Sequence, residues 1–251
     1  MRSYDKAFYK DQMAGSARSA RTVVPLVLAL VPARSVCDVG CGVGTWLSAF
    51  MKEGIADALG LDGDYVPAEY LHVPRSAFRP SDLRRPIELE RVFDLTVSLE
   101  VAEHLPDSYA ETFVKSLTRL APVILFSAAV PNQGGHDHVN EQWPDYWERL
   151  FQKENYHAVD ALRPRIWENT DIEWWYCQNM FIYVREGELS KYPALAAAAA
   201  GPQMPRRVVH PIMFERMLKR PGRLAGMANT LVRNMKVGFT HPSSPMLISG
   251  R

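Results

Sequence analysis

Cysteine is scarce in this sequence, with three among 251 residues. So small and odd a set argues against a disulfide framework, leaving stability to an apolar core. Long apolar runs are missing too. The longest, Val23 to Val31, spans nine residues with Pro25 inside it, well short of the roughly 20 that a membrane-spanning helix needs. No basic stretch followed by a small-residue cleavage site opens the chain. No secretory signal is therefore expected, and the expected compartment is the cytoplasm, with reduced thiols. There is no internal repeat. Hydrophobic residues at 47% and charged residues at 23% exclude a disordered, collagenous or coiled-coil chain.

Net charge is nearly absent, at +1, but the balance hides a split. Residues 206–251 carry nine Lys/Arg against one Glu, whereas the rest carries 20 basic and 27 acidic residues. An acidic body with a basic tail suggests an anionic neighbour for the tail, either a membrane surface or another subunit.

Four segments are expected: an N-terminal arm over 1–20, a catalytic-type domain over 21–187, an Ala/Pro-rich linker over 188–205 and a basic tail over 206–251. In the tail, Leu224, Met227, Ala228, Leu231, Val232 and Met235 recur at helical spacing along one face. Within the domain, short apolar strands alternate with helical patterns. The strands are Ser35–Val39, Asp57–Leu61, Ser76–Phe78, Phe93–Leu99 and Pro122–Val130. The helices are Thr22–Val31, Gly44–Lys52, Ser108–Leu120 and Trp143–Lys153. Tyr156–Asp160 and Trp174–Arg185 read as closing β-rich stretches. This alternation predicts an α/β sheet with helices on both faces.

The sharpest motif is Asp38-Val39-Gly40-Cys41-Gly42-Val43-Gly44, an acid at a strand end, then three alternating glycines, then a helix start. Glycine lets the backbone pass close beneath a ligand, and the helix N-terminus offers unpaired N–H groups. The spacing is G-x-G-x-G, not the G-x-G-x-x-G of dinucleotide folds. Eighteen residues after Gly44 comes Asp62, at the end of the second strand and suited to a ribose diol. Ser81-Asp82-Leu83 follows the third strand. A tight strand-to-helix connection also needs glycine; the ordered acids are what point beyond it. Cys37 and Cys41 lack a second pair at zinc spacing and read as packing residues.

These residues, with Phe93-Asp94-Leu95, resemble the ordered motifs of class I S-adenosylmethionine (SAM) methyltransferases over roughly 36–185. The resemblance implies a Rossmann-like fold, with a mostly parallel seven-stranded sheet and an antiparallel last strand. It also implies SAM as cofactor. Asp38, Gly40, Gly42 and Gly44 would lie beneath its methionine portion, Asp62 would hold the ribose, Asp82 and Leu83 would border the adenine, and Glu100 would border the cofactor site.

Two further clusters fall at strand ends. Glu100, Glu103 and His104 follow the fourth strand, and would share a face if a helical turn began there. The segment 131–141, containing His136, Asp137, His138 and Glu141, follows the fifth. Both reach the sheet edge where α/β proteins bind ligands. Close carboxylates repel unless a proton or cation intervenes. The pairing resembles the E-x-x-E-H and H-D-H segments of 3′-terminal RNA 2′-O-methyltransferases, and the first segment also resembles ubiquinone-pathway O-methyltransferases. That likeness implies Glu100, Glu103, His104 and His138 as ligands of a divalent metal, manganese or magnesium. Mixed nitrogen and oxygen donors suit manganese, iron, cobalt or zinc better than magnesium, which prefers oxygen. Without a metal, His104 or His138, assisted by Glu103, would serve as catalytic base. Trp143, Trp174 and Trp175 form either a stacking wall or part of the core. His72, His157, His210 and His241 read as surface or packing residues.

No N-P-P-Y-like segment follows the fourth strand, so the expected reaction is O-methylation of a sugar or other polar small molecule, a glycan included. The acidic body makes long nucleic acid a poor substrate. The alternatives are 2′-O-methylation of an RNA 3′ end and a non-catalytic SAM-binding module.

Overall fold

The computed structural model describes the backbone of residues 6–219 and the side chains of residues 14–219. They fall in two units, Met1–His210 and Pro211–Arg251. In chain order the first unit contains α1 (Lys6–Leu30), β1 (Ser35–Val39), α2 (Thr45–Lys52), β2 (Asp57–Asp62), β3 (Phe78–Pro80) and β4 (Leu95–Leu99). It continues with α3 (Ala110–Leu120), β5 (Val123–Ser127), α4 (Pro144–Lys153), β6 (Tyr156–Val159), α5 (Arg163–Ile166), α6 (Trp174–Asn179), β7 (Phe181–Arg185) and α7 (Pro193–Ala200). The second unit begins with α8 (Pro211–Lys219). The tail stripe from Leu224 to Met235 lies outside the described residues. No helix among the described residues is long and apolar enough to cross a membrane.

The seven strands form one sheet in the order β3-β2-β1-β4-β5-β7-β6. Six run the same way, and β7 pairs antiparallel with both β5 and β6. This is the Rossmann-like methyltransferase architecture the motifs implied. Side-chain alternation builds a core on each face. Val36, Val123 and Leu125 pack with α1 and α2 on one side, while Cys37, Val39, Ile124 and Phe126 pack with α3 and α4 on the other. Phe126 alone meets Trp147, Phe151 and Tyr183 in edge or tilted contacts. Strand order reverses between β1 and its two neighbours β2 and β4. The crevice at their C-terminal ends is therefore the topological switch point, the natural ligand site of such sheets.

Several elements differ from the sequence expectation. α1 is one helix running straight across residue 20 and through Pro25. Fully buried Val23, Val24, Val27 and Leu30 hold it despite the lost backbone bond. Gly15 sits in this helix because a Cβ there would lie 2.4 Å from the Glu173 carboxylate. The stretch read as one closing strand from Trp174 is a helix followed by a shorter strand. Trp174, Cys177 and Gln178 bury together at i, i+3 and i+4, so packing overrides their β propensity. Trp174 is thus buried, and Trp175 packs against the cluster that holds Tyr176 and Cys177. The third strand starts at Phe78 because Arg75–Ala77 forms a 3-10 turn after Pro74. The Ala-rich segment forms α7, with Leu195 fully buried. Arg206 and Arg207, expected to open the tail, pair with Glu148 and Asp145 of α4. Asp94 of the Phe-Asp-Leu motif is structural, accepting the N–H groups of Arg34 and Ser35 and pinning β4 beside β1.

Candidate active site

The glycine turn leaves β1 at the switch point. Gly40, Gly42 and Gly44 have φ of 81°, 54° and 81°, a left-handed backbone that side chains resist. At Gly40 space is restrictive as well, since a Cβ would sit 2.4 Å from Val101. The segment after β2 closes over the turn, with the His72 N–H donating to Val43 O at 2.8 Å. The three cysteines are free and buried. Burial pushes the Cys37 and Cys41 thiols far up, so they act as packing groups.

Two carboxylates border this turn. Asp62 Oδ2 accepts Gly42 N–H, while Oδ1 accepts Gly63 N–H and the Tyr65 hydroxyl, at 2.6, 2.6 and 2.5 Å. Asp38 is buried and takes a backbone N–H from Leu47, but its Oδ2 has no partner. Burial, then the charge of Asp62, pushes Asp38 up to about 8. A buried carboxylate without its full partners favours a cation. SAM brings both an ammonium and a sulfonium, so the glycine cradle and Asp38 fit it. Asp82 fits its expected adenine role less well. Its carboxylate is forked onto Arg84 at 2.8 and 3.0 Å, and Arg84 holds it below the usual carboxylate range. Leu83 is half-buried against the core cluster containing Phe93.

The second half of the site lies beyond β4 and β5. Glu100 adopts φ of 55°, an uncommon conformation for a side-chain-bearing residue. A 3-10 turn, Ala102–His104, follows it. Glu100 therefore does not share the helical face expected for it. Its carboxylate accepts from Asn179 Nδ2 at 3.1 Å and from Gln133 Nε2 at 2.7 Å. Burial raises it, and the bonds from Asn179, Ser127 and Gln133 offset part of that rise.

Glu103 is the opposite case. It is wholly buried and neither side-chain oxygen has a well-formed hydrogen bond. Burial first, then the charge of Glu100, raises it well above the ordinary glutamate value; nearby amides of Glu103 and Ala129 offset this only in part. His104 and His138 stand beside it, rings edge to face at 4.9 Å. One donor atom from each of Glu103, His104 and His138 lies within 4.8 Å of the other two. Desolvation and the neighbouring His138 hold His104 below the usual imidazole value, keeping a lone pair available.

The loop after β5 is stitched to this turn, since Val139 and Asn140 both donate N–H to Glu103 O, at 2.9 and 3.0 Å. Thus Glu103, His104 and His138 converge, and Glu100 stands apart, bound to amides. His136 instead pairs with Asp137. The three converging donors fit a divalent metal: an unpartnered carboxylate and two imidazoles, a set suited to manganese or zinc. Four contributors carried no signal of their own. Gln133 and Glu141 were members of a polar loop with no role assigned to them, Tyr65 lay in a turn, and Asn179 fell in a stretch read as strand.

A family model for a methyltransferase domain matches residues 9–180. The chain belongs to the class I SAM-dependent methyltransferase family. Solved structures agree on the fold. The sugar N-methyltransferase KedS8 from Streptoalloteichus sp ATCC 53650 aligns with TM-score 0.56 at 17% identity, covering 74% of this methyltransferase and 96% of that chain. DesVI from Streptomyces venezuelae gives 0.53 at 18%, covering 73% and 100%. The SAH-bound magnesium protoporphyrin IX methyltransferase ChlM from Synechocystis PCC 6803 gives 0.51 at 19%, covering 74% and 90%. No curated protein matches the sequence.

Proposed function

We propose that this methyltransferase moves the methyl group of SAM to a hydroxyl of a sugar or another polar small molecule, with a divalent cation held by Glu103, His104 and His138. The observation that carries the reading is Glu103, a buried carboxylate with both oxygens unpartnered and two imidazoles beside it. Such a group is costly to keep unless a cation completes it. A module that merely binds SAM has no use for it.

Methyl transfer is an in-line displacement in which positioning supplies most of the acceleration. Asp38 and the glycine turn would hold the methionine end of SAM, and Asp62 the ribose. Glu103 and the two imidazoles would hold the cation, whose contribution when bound is to lower the acceptor hydroxyl's pKa. Both groups of residues follow strand ends at the same edge of the sheet, so an acceptor oxygen held by the second group would face the methyl carbon held by the first. The acidic body disfavours long polyanions as acceptors.

Methyl-labelled SAM offered with sugars, amino sugars, nucleosides and short RNA tests this. The expected product carries label on a sugar oxygen, loses it with EDTA and regains it with Mn²⁺. Label on nitrogen, or only on an RNA 3′ end, would replace the acceptor class. EDTA-insensitive turnover would remove the cation and leave His104 as the base.

A further inference from the structure

We infer that Glu141 is a positioning residue for this site, fixing His138 so that Nε2 faces Glu103 with its lone pair free. This rests on the cation-holding reading above. Glu141 Oε1 accepts Gly134 N–H at 2.6 Å and His138 Nδ1 at 3.0 Å, while Oε2 accepts Asn132 N–H at 2.7 Å. A carboxylate can only accept, so Nδ1 must carry the proton. In the neutral ring the other nitrogen, Nε2, then bears the lone pair, and it lies 4.0 Å from Glu103 Oε1.

The loop is shaped around this arrangement. Asn132, Gly134 and Asp137 all have positive φ, of 69°, 69° and 57°, kinks that aim two backbone N–H groups at one side chain. Gly135 clears the opposite side of the ring, since a Cβ there would fall 2.1 Å from His138 Nε2. The same loop is anchored onto Glu103 O through Val139 and Asn140. Glu141 thus fixes tautomer and orientation, and Gly135 leaves room for the ligating atom. A carboxylate behind a ligating imidazole typically changes metal affinity about 10- to 100-fold.

The test uses the full chain as wild type, Glu141→Ala, Glu141→Gln and Gly135→Ala. Long-range ¹H–¹⁵N correlation in EDTA reads the His138 tautomer, calorimetry with MnCl₂ alone reads cation affinity, and S-adenosylhomocysteine (SAH) affinity reports an intact fold. Wild type is expected to show protonated Nδ1. Glu141→Ala is expected to lose the single tautomer and about 10- to 100-fold in Mn²⁺ affinity, with SAH affinity preserved. Glu141→Gln, whose amide oxygen accepts from the same Nδ1, should recover the tautomer. Gly135→Ala should weaken Mn²⁺ at least tenfold with Glu141 untouched. A wild-type ring protonated at Nε2, or a Glu141→Ala protein keeping both tautomer and Mn²⁺ affinity, overturns the assignment. If wild type binds no Mn²⁺, the cation reading fails while the tautomer comparison still decides the role of Glu141.

Discussion

Each half of the crevice holds two acids, one saturated with donors and one left short. On the glycine-turn side, Asp62 takes three hydrogen bonds while Asp38 Oδ2 takes none. Beyond β4, Glu100 is held by Asn179 and Gln133, while both Glu103 oxygens are unpartnered. Glu100 and Glu103 stand three positions apart, and as sequence they look equivalent. Their partners divide them: a saturated acid organises the protein around it, and an unsaturated one waits for a cation. The unsaturated acids, Asp38 and Glu103, therefore mark where charge from outside the chain belongs.

The largest effect should come from removing the more deprived acid. Glu103→Met replaces an unpartnered buried carboxylate by an apolar chain of similar length. Activation of the acceptor hydroxyl should be lost, a contribution on the order of 10²–10⁴-fold when a positioned group handles the proton. The same change should stabilise the metal-free fold by about 1–3 kcal/mol, more as pH rises, because burial penalises the charged form. Denaturant unfolding in EDTA beside a labelled-methyl assay reads both. An inactive variant that is also less stable would mean that Glu103 has protein partners and that the contrast is wrong.

The saturated acid of the other half should matter through affinity. Asp62→Ala removes the ribose acceptors and leaves the Gly42 and Gly63 N–H groups without theirs. SAH affinity should fall by roughly 1.5–3 kcal/mol, the range for charge-assisted bonds. Calorimetry showing unchanged affinity would sink the ribose role.

Asp38 predicts a pH dependence. Its value in the free protein is about 8, and a cationic cofactor favours the ionised form. SAM affinity should therefore rise with pH and level off above about 8, by at most tenfold per unit for one proton released. Fold stability without cofactor runs the other way. A raised carboxylate contributes stability below its unfolded value near 3.8 and loses it as pH climbs to about 8. Burial raises Glu100 and Glu103 in the same direction. Asp38→Asn should flatten the affinity profile; a variant that keeps the full slope would place the titrating group elsewhere.

What the sequence made legible follows from locality. The glycine turn, Asp38 and Asp62 are set by one strand-turn-helix unit and a neighbouring strand end, so spacing alone locates them. His104 and Glu103 lie on one short turn and were legible for the same reason. Glu100 was misplaced because its positive φ turns the chain before a helical face can form. Asn179 reaches Glu100 across 79 positions, and no local pattern announces a partner that distant. The α6 helix was hidden because Trp and Tyr favour strands in isolation, while the packing of Trp174 and Cys177 decides otherwise.

The smallest expected effect sharpens the contrast most, because it moves a saturated acid toward the unsaturated state without touching the acid. The Tyr65 hydroxyl donates to Asp62 Oδ1 at 2.5 Å, on an oxygen that a ribose hydroxyl would also seek. Its ring lies against Gly63, where a Cβ would come within 2.0 Å of the phenol carbons. A nucleoside binding at Asp62 must therefore displace the phenol or share an oxygen with it. Tyr65→Phe deletes the competitor and keeps the ring. A typical net hydrogen bond is worth about 0.5–1.5 kcal/mol, so SAH should bind roughly 2- to 10-fold more tightly. Glu103 and its imidazoles are untouched, so Mn²⁺ affinity should not move. If SAH binds more weakly instead, the phenol is a partner of the bound nucleoside rather than its rival, and Asp62 in the free protein is already arranged as it is in the complex.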